Sequence, residues 1–241
     1  MGAALSTNRD AMGKVRDFEG REDFAWYISP HMWTKLASDT NTAVAQAGTT
    51  TCGILSITTP ATSSDNDEAA NYMTGKNFLF AANKPIVVET FQQFTEANTS
   101  AANVAFGLAS ISTLTDLIAD NGTGPAASFS GALIYKVDGG TVWRCVSSVG
   151  TTQTISVSTT TAGGSAYQRL RIEVLPYTST QNQVLFFVDD VQLIDATSGK
   201  PIAHIVAVSG AAAMTLGNYL KCGSTTGETL LVDDVSWSAK R

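Results

Sequence analysis

The sequence predicts an all-β sandwich of two stacked antiparallel sheets, and three observations support this prediction. Apolar and polar residues alternate along short runs such as 167–175, where Leu170 and Ile172 share one face. Two runs near the C-terminus, 186–191 and 230–237, both contain Val-Asp-Asp-Val and resemble strand ends. Charged residues are only 15% of the chain, which disfavours charged surface helices. The thirteen short strands predicted below are too many for one flat sheet, and two stacked sheets are therefore expected.

The chain starts with a charged segment, residues 1–24, which has few apolar side chains and cannot form a core by itself. We expect an extended arm that orders against a neighbouring subunit, followed by one sandwich domain over residues 25–241. The candidate partner-binding residues in the arm are basic: Arg9, Lys14, Arg16 and Arg21.

Short apolar runs between turn-forming residues follow the arm in order. The predicted strands lie near 42–46, 51–58, 77–81, 85–94, 102–110, 126–137, 141–147, 153–158, 167–175, 183–194, 202–208, 213–221 and 228–238. Turns are predicted at 138–140 and 163–164, and one or two turns of helix at 112–119. The run 183–188 is apolar on both faces, so we expect that strand to be central and covered on both sides.

Composition excludes several classes of partner. The net charge of −6 and the lack of a Lys/Arg run argue against nucleic acid. No segment has the length of a membrane span or of a signal peptide's apolar core, so we expect assembly in a reducing cytoplasm without membrane contact. Three cysteines, Cys52, Cys145 and Cys222, lack metal-site spacing and are odd in number, so buried free thiols are expected.

No motif has the spacing of a catalytic, cofactor-binding or metal site, so the sequence predicts a protein that is not an enzyme and has no cofactor. Acidic residues cluster at 65–68, 189–190 and 233–234, but neighbours on a strand face opposite ways and do not form a ready dyad. His31 and His204 stand alone, and His204 is interpreted as a hydrogen-bonded structural histidine. The tryptophans favour core or interface positions over sugar stacking: Trp26, Trp33, Trp143 and Trp237.

The strand order of the C-terminal half resembles the concanavalin A-like jelly roll. The runs that carry this resemblance are 167–174, 184–190 and 231–237. Further runs resemble a group of tailed-phage virion proteins with this sandwich, at 65–70, 85–89, 103–109 and 132–139. The resemblance covers residues 24–241, with Asp189-Asp190 where many such hairpins have Asp-Gly. The Glu-x-Asp-x-x-Glu run of laminarinase-like hydrolases is absent, as are the basic and tyrosine motifs of alginate-lyase-like relatives.

The resemblance implies a non-enzymatic phage virion structural protein, namely a capsid decoration or cement protein that stabilises the assembled shell. Its implied partners are the major capsid protein and further copies of itself, with a trimer favoured, and its implied location is the capsid surface. The alternative is a carbohydrate-binding module of a tail fibre or spike, and a glycan hydrolase or lyase comes third.

Overall fold

A computed structural model describes residues 17–25, 32–37, 42–47, 53–60, 66–95, 101–111, 115–119 and 122–241. These residues form eighteen strands, numbered in chain order: β1 (Asp17–Glu22), β2 (Trp33–Ala37), β3 (Ala43–Gln46), β4 (Leu55–Thr58), β5 (Glu68–Met73), β6 (Ile86–Thr95), β7 (Ala102–Ala109), β8 (Ile118–Ala119), β9 (Gly124–Pro125), β10 (Gly131–Lys136), β11 (Val142–Val149), β12 (Thr152–Thr161), β13 (Gln168–Thr178), β14 (Gln181–Val188), β15 (Val191–Gln192), β16 (Ala203–Ala207), β17 (Thr215–Cys222) and β18 (Thr229–Lys240). The described residues include no α-helix, and therefore none that could cross a membrane.

The strands form two large antiparallel sheets. The nine-stranded sheet has the order β15-β14-β13-β6-β18-β4-β3, with β16 also paired to β14 and β1 to β18. The seven-stranded sheet has the order β12-β11-β10-β7-β17-β5-β2, while β8 and β9 form a small separate hairpin. The two large sheets pack face to face, which confirms the predicted all-β sandwich.

The core lies between the sheets and is built from the inward side chains of alternating positions. Phe186 of β14 is fully buried there, as the sequence predicts. The described tryptophans, Trp33, Trp143 and Trp237, are also buried, which confirms their structural interpretation. Cys145 and Cys222 are buried free thiols, and burial raises the pKa of Cys145 well above its ordinary value. Trp26, His31 and Cys52 lie outside the described residues.

The N-terminal boundary differs from the prediction. Asp17–Glu22, which lies inside the predicted arm, pairs along its whole length with Val235–Lys240 of β18. The sandwich therefore includes residues predicted to belong to the arm that orders against a neighbouring subunit, because a strand of the same chain more than 200 residues away supplies their hydrogen bonds. Of the four basic arm residues, Arg21 lies in this strand, while Arg9, Lys14 and Arg16 lie outside the described residues.

Two local predictions are wrong, and one buried strand is not predicted at all. Residues 118–119 form a short strand rather than the end of a helix, paired with Gly124–Pro125. Residues 77–81 form only isolated bridges instead of a strand. Strand β5 has no signature in the sequence, because Glu68–Met73 is buried on both faces and shows no alternation.

The outer face of β14 also departs from the prediction of cover on both sides. Its side chains alternate between buried and half-buried, and Leu185 and Phe187 belong to the half-buried set. The guanidinium group of Arg171 lies 4.5 Å from the Phe187 ring centroid, so an arginine side chain rather than a protein layer covers this ring.

The predicted hairpin after β14 is confirmed, and its turn type is now defined. Asp189 and Asp190 have φ values of 51° and 64°, so both central residues are left-handed, as in a type I′ turn. Asp189 offsets part of the cost of this left-handed backbone conformation, because its Oδ1 accepts a 2.8 Å hydrogen bond from the backbone N–H of Arg169.

Candidate ligand-binding face

The outer face of the nine-stranded sheet carries charged and aromatic side chains in register across three strands. Glu89 of β6 lies opposite Arg171 of β13, and Phe91 lies opposite Arg169. On the other side of β13, Arg171 lies opposite Phe187 of β14. We call the following set the outer ladder: Glu89, Phe91, Tyr167, Arg169, Arg171, Glu173, Phe187, Asp190 and Asp233.

Ion pairs fix the arginines of the outer ladder. Arg169 Nη1 donates to Glu89 Oε1 at 2.8 Å, and this carboxylate raises the pKa of the Arg169 guanidinium. Arg171 Nη1 lies 2.7 Å from Asp190 Oδ1 and 3.7 Å from Glu89 Oε2. Its Nε lies 3.1 Å from Glu173 Oε1 without hydrogen-bond geometry. These side chains are partly exposed, so the pairs orient planar groups more than they stabilise the fold.

Aromatic rings lie beside these guanidinium groups. The Phe91 and Tyr167 ring centroids are 5.0 Å apart at an interplanar angle of 32°. The Arg169 guanidinium lies 5.5 Å from the Phe91 centroid, within the range of a cation–π contact. Phe91 therefore contacts both a ring and a guanidinium group, whereas Tyr167 has Phe91 as its one aromatic neighbour among the described residues.

Asp233 gives this face an unpaired carboxylate. It forms no hydrogen bond or ion pair with any described residue, while its neighbour Asp234 lies 2.8 Å from Arg21. Burial first, and then the Asp234 charge, raise the pKa of Asp233. Burial, with a smaller contribution from the Asp233 charge, raises the pKa of the Tyr167 phenol, so the two groups are close.

A β-bulge explains why Asp233 and Asp234 lie together. The register of β18 against β6 shifts between Val232 and Asp234, and the core positions on either side are Val232 and Val235. The prediction that these neighbours face opposite ways is therefore wrong, because the extra residue interrupts the alternation. A single sequence carries no signal for this bulge.

The outer face of the seven-stranded sheet is different, because a chain segment covers it. We call Ile111, residues 115–119 and residues 122–130 the roof. Leu117, Ile118 and Phe129 of the roof are buried in a second apolar cluster with sheet residues Ala70, Tyr72, Ala105, Ala109, Leu133, Tyr135, Val137, Val146 and Tyr219. Ser148 Oγ donates to Phe129 O at 2.6 Å, which ties the roof to β11.

A buried ionic cluster lies beneath the roof. Glu68 Oε1 lies 3.2 Å from Lys221 Nζ and accepts a 2.9 Å hydrogen bond from the Tyr219 hydroxyl. The backbone N–H of Asp116 donates to both Glu68 carboxylate oxygens, at 3.0 and 3.1 Å. Lys221 Nζ donates to the carbonyl of Ile118 at 3.2 Å. Burial raises the pKa of Glu68 despite these partners. The contacts of Asp116 with Glu68 and of Ile118 with Lys221 hold the roof to β5 and β17.

The remaining predicted positions are structural. His204 Nδ1 and Nε2 each lie 3.1 Å from a serine hydroxyl, those of Ser147 and Ser156, which confirms the hydrogen-bonded interpretation. Burial lowers the pKa of His204 to about 4. Of the 65–68 cluster, Glu68 belongs to the buried ionic cluster and residue 65 lies outside the described part of the chain. In that part, no group of three or more His, Cys, Asp or Glu side chains could hold a metal ion.

Comparison of sequences finds no matching family model and no matching characterised protein. Comparison of structures finds similar folds. Lectin I from Ulex europaeus, solved in complex with the methyl glycoside of α-L-fucose, gives a TM-score of 0.60 at 12% identity, over 92% of this chain and 98% of that chain. The carbohydrate recognition domain of Emp47p gives 0.57 at 10% identity, over 90% and 92%.

An enzyme is also among the similar structures. The endo-1,3-β-glucanase from Streptomyces sioyaensis gives a TM-score of 0.57 at 14% identity, over 91% of this chain and 94% of that chain. At these identities the comparisons establish the fold alone: the chain is a concanavalin A-like jelly roll. Since one fold supports both binding and hydrolysis, function depends on the side chains of the site.

Proposed function

We propose that this protein is a non-catalytic carbohydrate-binding domain whose ligand contacts the outer ladder. The observation that carries the proposal is the carboxylate of Asp233, which has no hydrogen bond or ion pair with a described residue, close to the half-buried ring of Tyr167 on a sheet face that no described segment covers. A sugar ring presents an apolar C–H face and several hydroxyl groups. An aromatic ring packs on that apolar face, and a carboxylate accepts charge-assisted hydrogen bonds from the hydroxyls.

The geometry of the outer ladder adds to this argument. Its arginine and carboxylate groups are held in fixed orientations by their mutual ion pairs, so they offer donors and acceptors at low entropic cost. The exposed side chain of Asp190, at 66%, and that of Arg169, at 40%, leave polar atoms available to a ligand. The carbohydrate-binding functions named for the lectin and for Emp47p favour the same class of ligand.

The arrangement of carboxylates supports a non-catalytic role. Glycoside hydrolysis uses two carboxyl groups that flank the scissile bond in an open groove. In the described strands of the seven-stranded sheet, Glu68 is the one acidic residue, and it is buried in hydrogen bonds beneath the roof. On the outer ladder, Glu89 and Asp190 each form an ion pair with an arginine. Release of reducing sugar from β-glucans, lost on substitution of one carboxylate, would contradict this part of the proposal.

The test is binding to an array of neutral and acidic glycans, followed by calorimetry with any glycan that binds. Tyr167→Ala and Asp233→Asn are expected to weaken binding by about tenfold or more, which corresponds to about 1.4 kcal/mol. Tyr177→Ala is the matched control, because Tyr177 is an exposed tyrosine near the C-terminal end of β13, whereas Tyr167 immediately precedes the first residue of that strand. Absence of binding to every glycan, or equal loss in the control, would overturn the proposal.

Capsid decoration stays a prediction of the sequence resemblance. The direct measurement is co-sedimentation of the protein with undecorated phage shells. Saturable binding to shells without binding to glycans would favour that role over the one proposed here.

A further inference from the structure

The free edge of the seven-stranded sheet has an unusual composition for an exposed strand edge. Its last strand, β12, pairs with β11 on one side. No charged residue occurs anywhere between Cys145 and Gln168, and β12 contains no proline. Exposed edges are ordinarily protected by charge, proline or a covering segment, because their unpaired backbone groups can bind another strand. Of these protections, the β12 edge has a covering segment along part of its length.

A loop covers one half of the β12 edge. The carbonyl of Val157 accepts a 2.8 Å hydrogen bond from Ala196, and the N–H of Thr159 donates to Ile194 at 3.1 Å. Because backbone groups on a strand alternate in direction with a period of two, Gln153 and Ile155 direct their N–H and C=O groups to this same edge. Apart from β11 on the other side, no described strand or loop pairs with those two residues, so no described backbone group bonds to their edge-facing N–H and C=O groups.

The uncovered half carries an exposed apolar side chain. Ile155 is 48% exposed on the outer face, and Val157, where the covered half begins, is 37% exposed on the same face. Ile205 of β16, 39% exposed, lines a cleft together with Thr152 and Thr154 of β12. Exposed apolar side chains thus lie around the same unpaired backbone groups, which is typical of a surface that associates with another chain.

We propose that the edge of β12 pairs with β12 of a second copy of this chain, in an antiparallel two-fold arrangement centred on Thr154. In this register Gln153 lies opposite Ile155 of the partner subunit, and each such pair exchanges two backbone hydrogen bonds. The register uses the uncovered half of each strand and stops before the loop at 194–196. The two sheets then continue across the interface, and the exposed isoleucines of the two copies approach each other.

A second copy fits this edge for electrostatic reasons. The chain carries a net charge of −6, so two copies repel each other over most of their surfaces. Along β12 no charged side chain would stand opposite another, so this repulsion is smallest there. The contact is a two-fold pair rather than the trimer that the sequence resemblance implies, and it is independent of the proposed glycan site.

The test is sedimentation velocity over a series of protein concentrations. The parent is expected to sediment as a dimer, and Ile155→Lys as a monomer with unchanged circular dichroism. Val191→Lys is the matched control, because Val191 is an apolar residue with 67% exposure on the other sheet. Ile155→Pro is a second variant, since it removes an N–H that β11 does not use. A monomeric parent, a trimer, or a dimeric Ile155→Lys would overturn the proposal.

A cysteine substitution tests the register itself. In the proposed pairing Thr154 lies opposite Thr154 of the partner subunit at a non-hydrogen-bonded position, where Cα atoms are about 4.5 Å apart, a distance compatible with a disulfide. Thr154→Cys is expected to form a disulfide-linked dimer under mild oxidation, and Gln153→Cys is not. Equal cross-linking of both variants, or of neither, would contradict this register, and the parent protein under the same oxidation shows the contribution of its own cysteines.

Discussion

The two outer faces of this sandwich are built from the same kind of strand and have opposite surroundings. On the nine-stranded sheet, outward side chains form the outer ladder, a half-exposed set of arginines, carboxylates and rings. On the seven-stranded sheet, outward side chains such as Tyr135 and Tyr219 are buried beneath the roof. An outward position on a strand is therefore not a surface position until the connecting segments have been placed.

Glu68 and Glu89 show the difference at a single residue type. Both lie on outward strand positions beside a cation, but the Glu68 side chain is 4% exposed and that of Glu89 is 17% exposed, with Lys221 at 1% and Arg169 at 40%. The Glu68–Lys221 pair lost its hydration on folding, so its stability depends on its contacts within the protein. The Glu89–Arg169 pair keeps contact with water.

The largest effect is expected in the common core, at neighbouring residues of β14. Phe186→Ala removes a fully buried ring and should lower the free energy of unfolding by about 3–5 kcal/mol. Phe187→Ala removes a half-buried ring beneath Arg171 and should lower it by about 1–2 kcal/mol. Urea denaturation of both variants measures the difference. Equal losses would mean that the two faces of β14 are not distinct.

The second-largest loss of stability is expected in the ionic cluster beneath the roof. Glu68→Gln leaves the buried Lys221 ammonium with the exposed Asp116 carboxylate, 3.4 Å away, as its remaining counter-charge, and should lower the free energy of unfolding by about 3 kcal/mol. Glu89→Gln, the matched change on the outer ladder, should cost at most about 1 kcal/mol. Hydrogen exchange at residues 115–119 should increase in the first variant only. A mild effect of Glu68→Gln would show that the roof is held by apolar contacts alone.

The pH dependence of stability should reveal the buried His204 at the seam between the sheets. Its pKa is lowered from 6.5 to about 4 by burial, so the unfolded chain binds the proton more readily than the folded one. Stability is unaffected by this group above pH 6.5 and falls as the pH drops toward 4, by about 2 kcal/mol between pH 7 and pH 5. His204→Gln should remove that part of the pH dependence. An unchanged pH profile would contradict the burial of this imidazole.

The smallest effect on stability is expected on the outer ladder. Arg169→Ala removes an ion pair and a ring contact that are both partly exposed, so the free energy of unfolding should change by at most about 1 kcal/mol. Glycan affinity, in contrast, should fall if this face binds the ligand. Thermal denaturation and calorimetry on the same preparation separate the two quantities. A large loss of stability would mean that the ladder is structural.

Local pattern by itself determined much of the fold. Alternation along 167–175 and the repeated Val-Asp-Asp-Val runs predicted the sandwich, and the apolar inward positions of β14 predicted the burial of Phe186. The position of the hairpin at Asp189-Asp190 was also predictable, because a two-residue turn between strands depends on residues adjacent in sequence. The structural role of His204 followed from its place within an apolar strand.

Only the tertiary structure decided what covers each face. The pairing of Asp17–Glu22 with β18, the burial of Glu68 by the roof and the bulge at Asp233 each depend on residues distant in the chain. Alternation reports which side chains share a face of one strand, but it carries no information on the segment that packs against that face. The same period of two therefore produces a second core on one sheet and an exposed candidate binding face on the other.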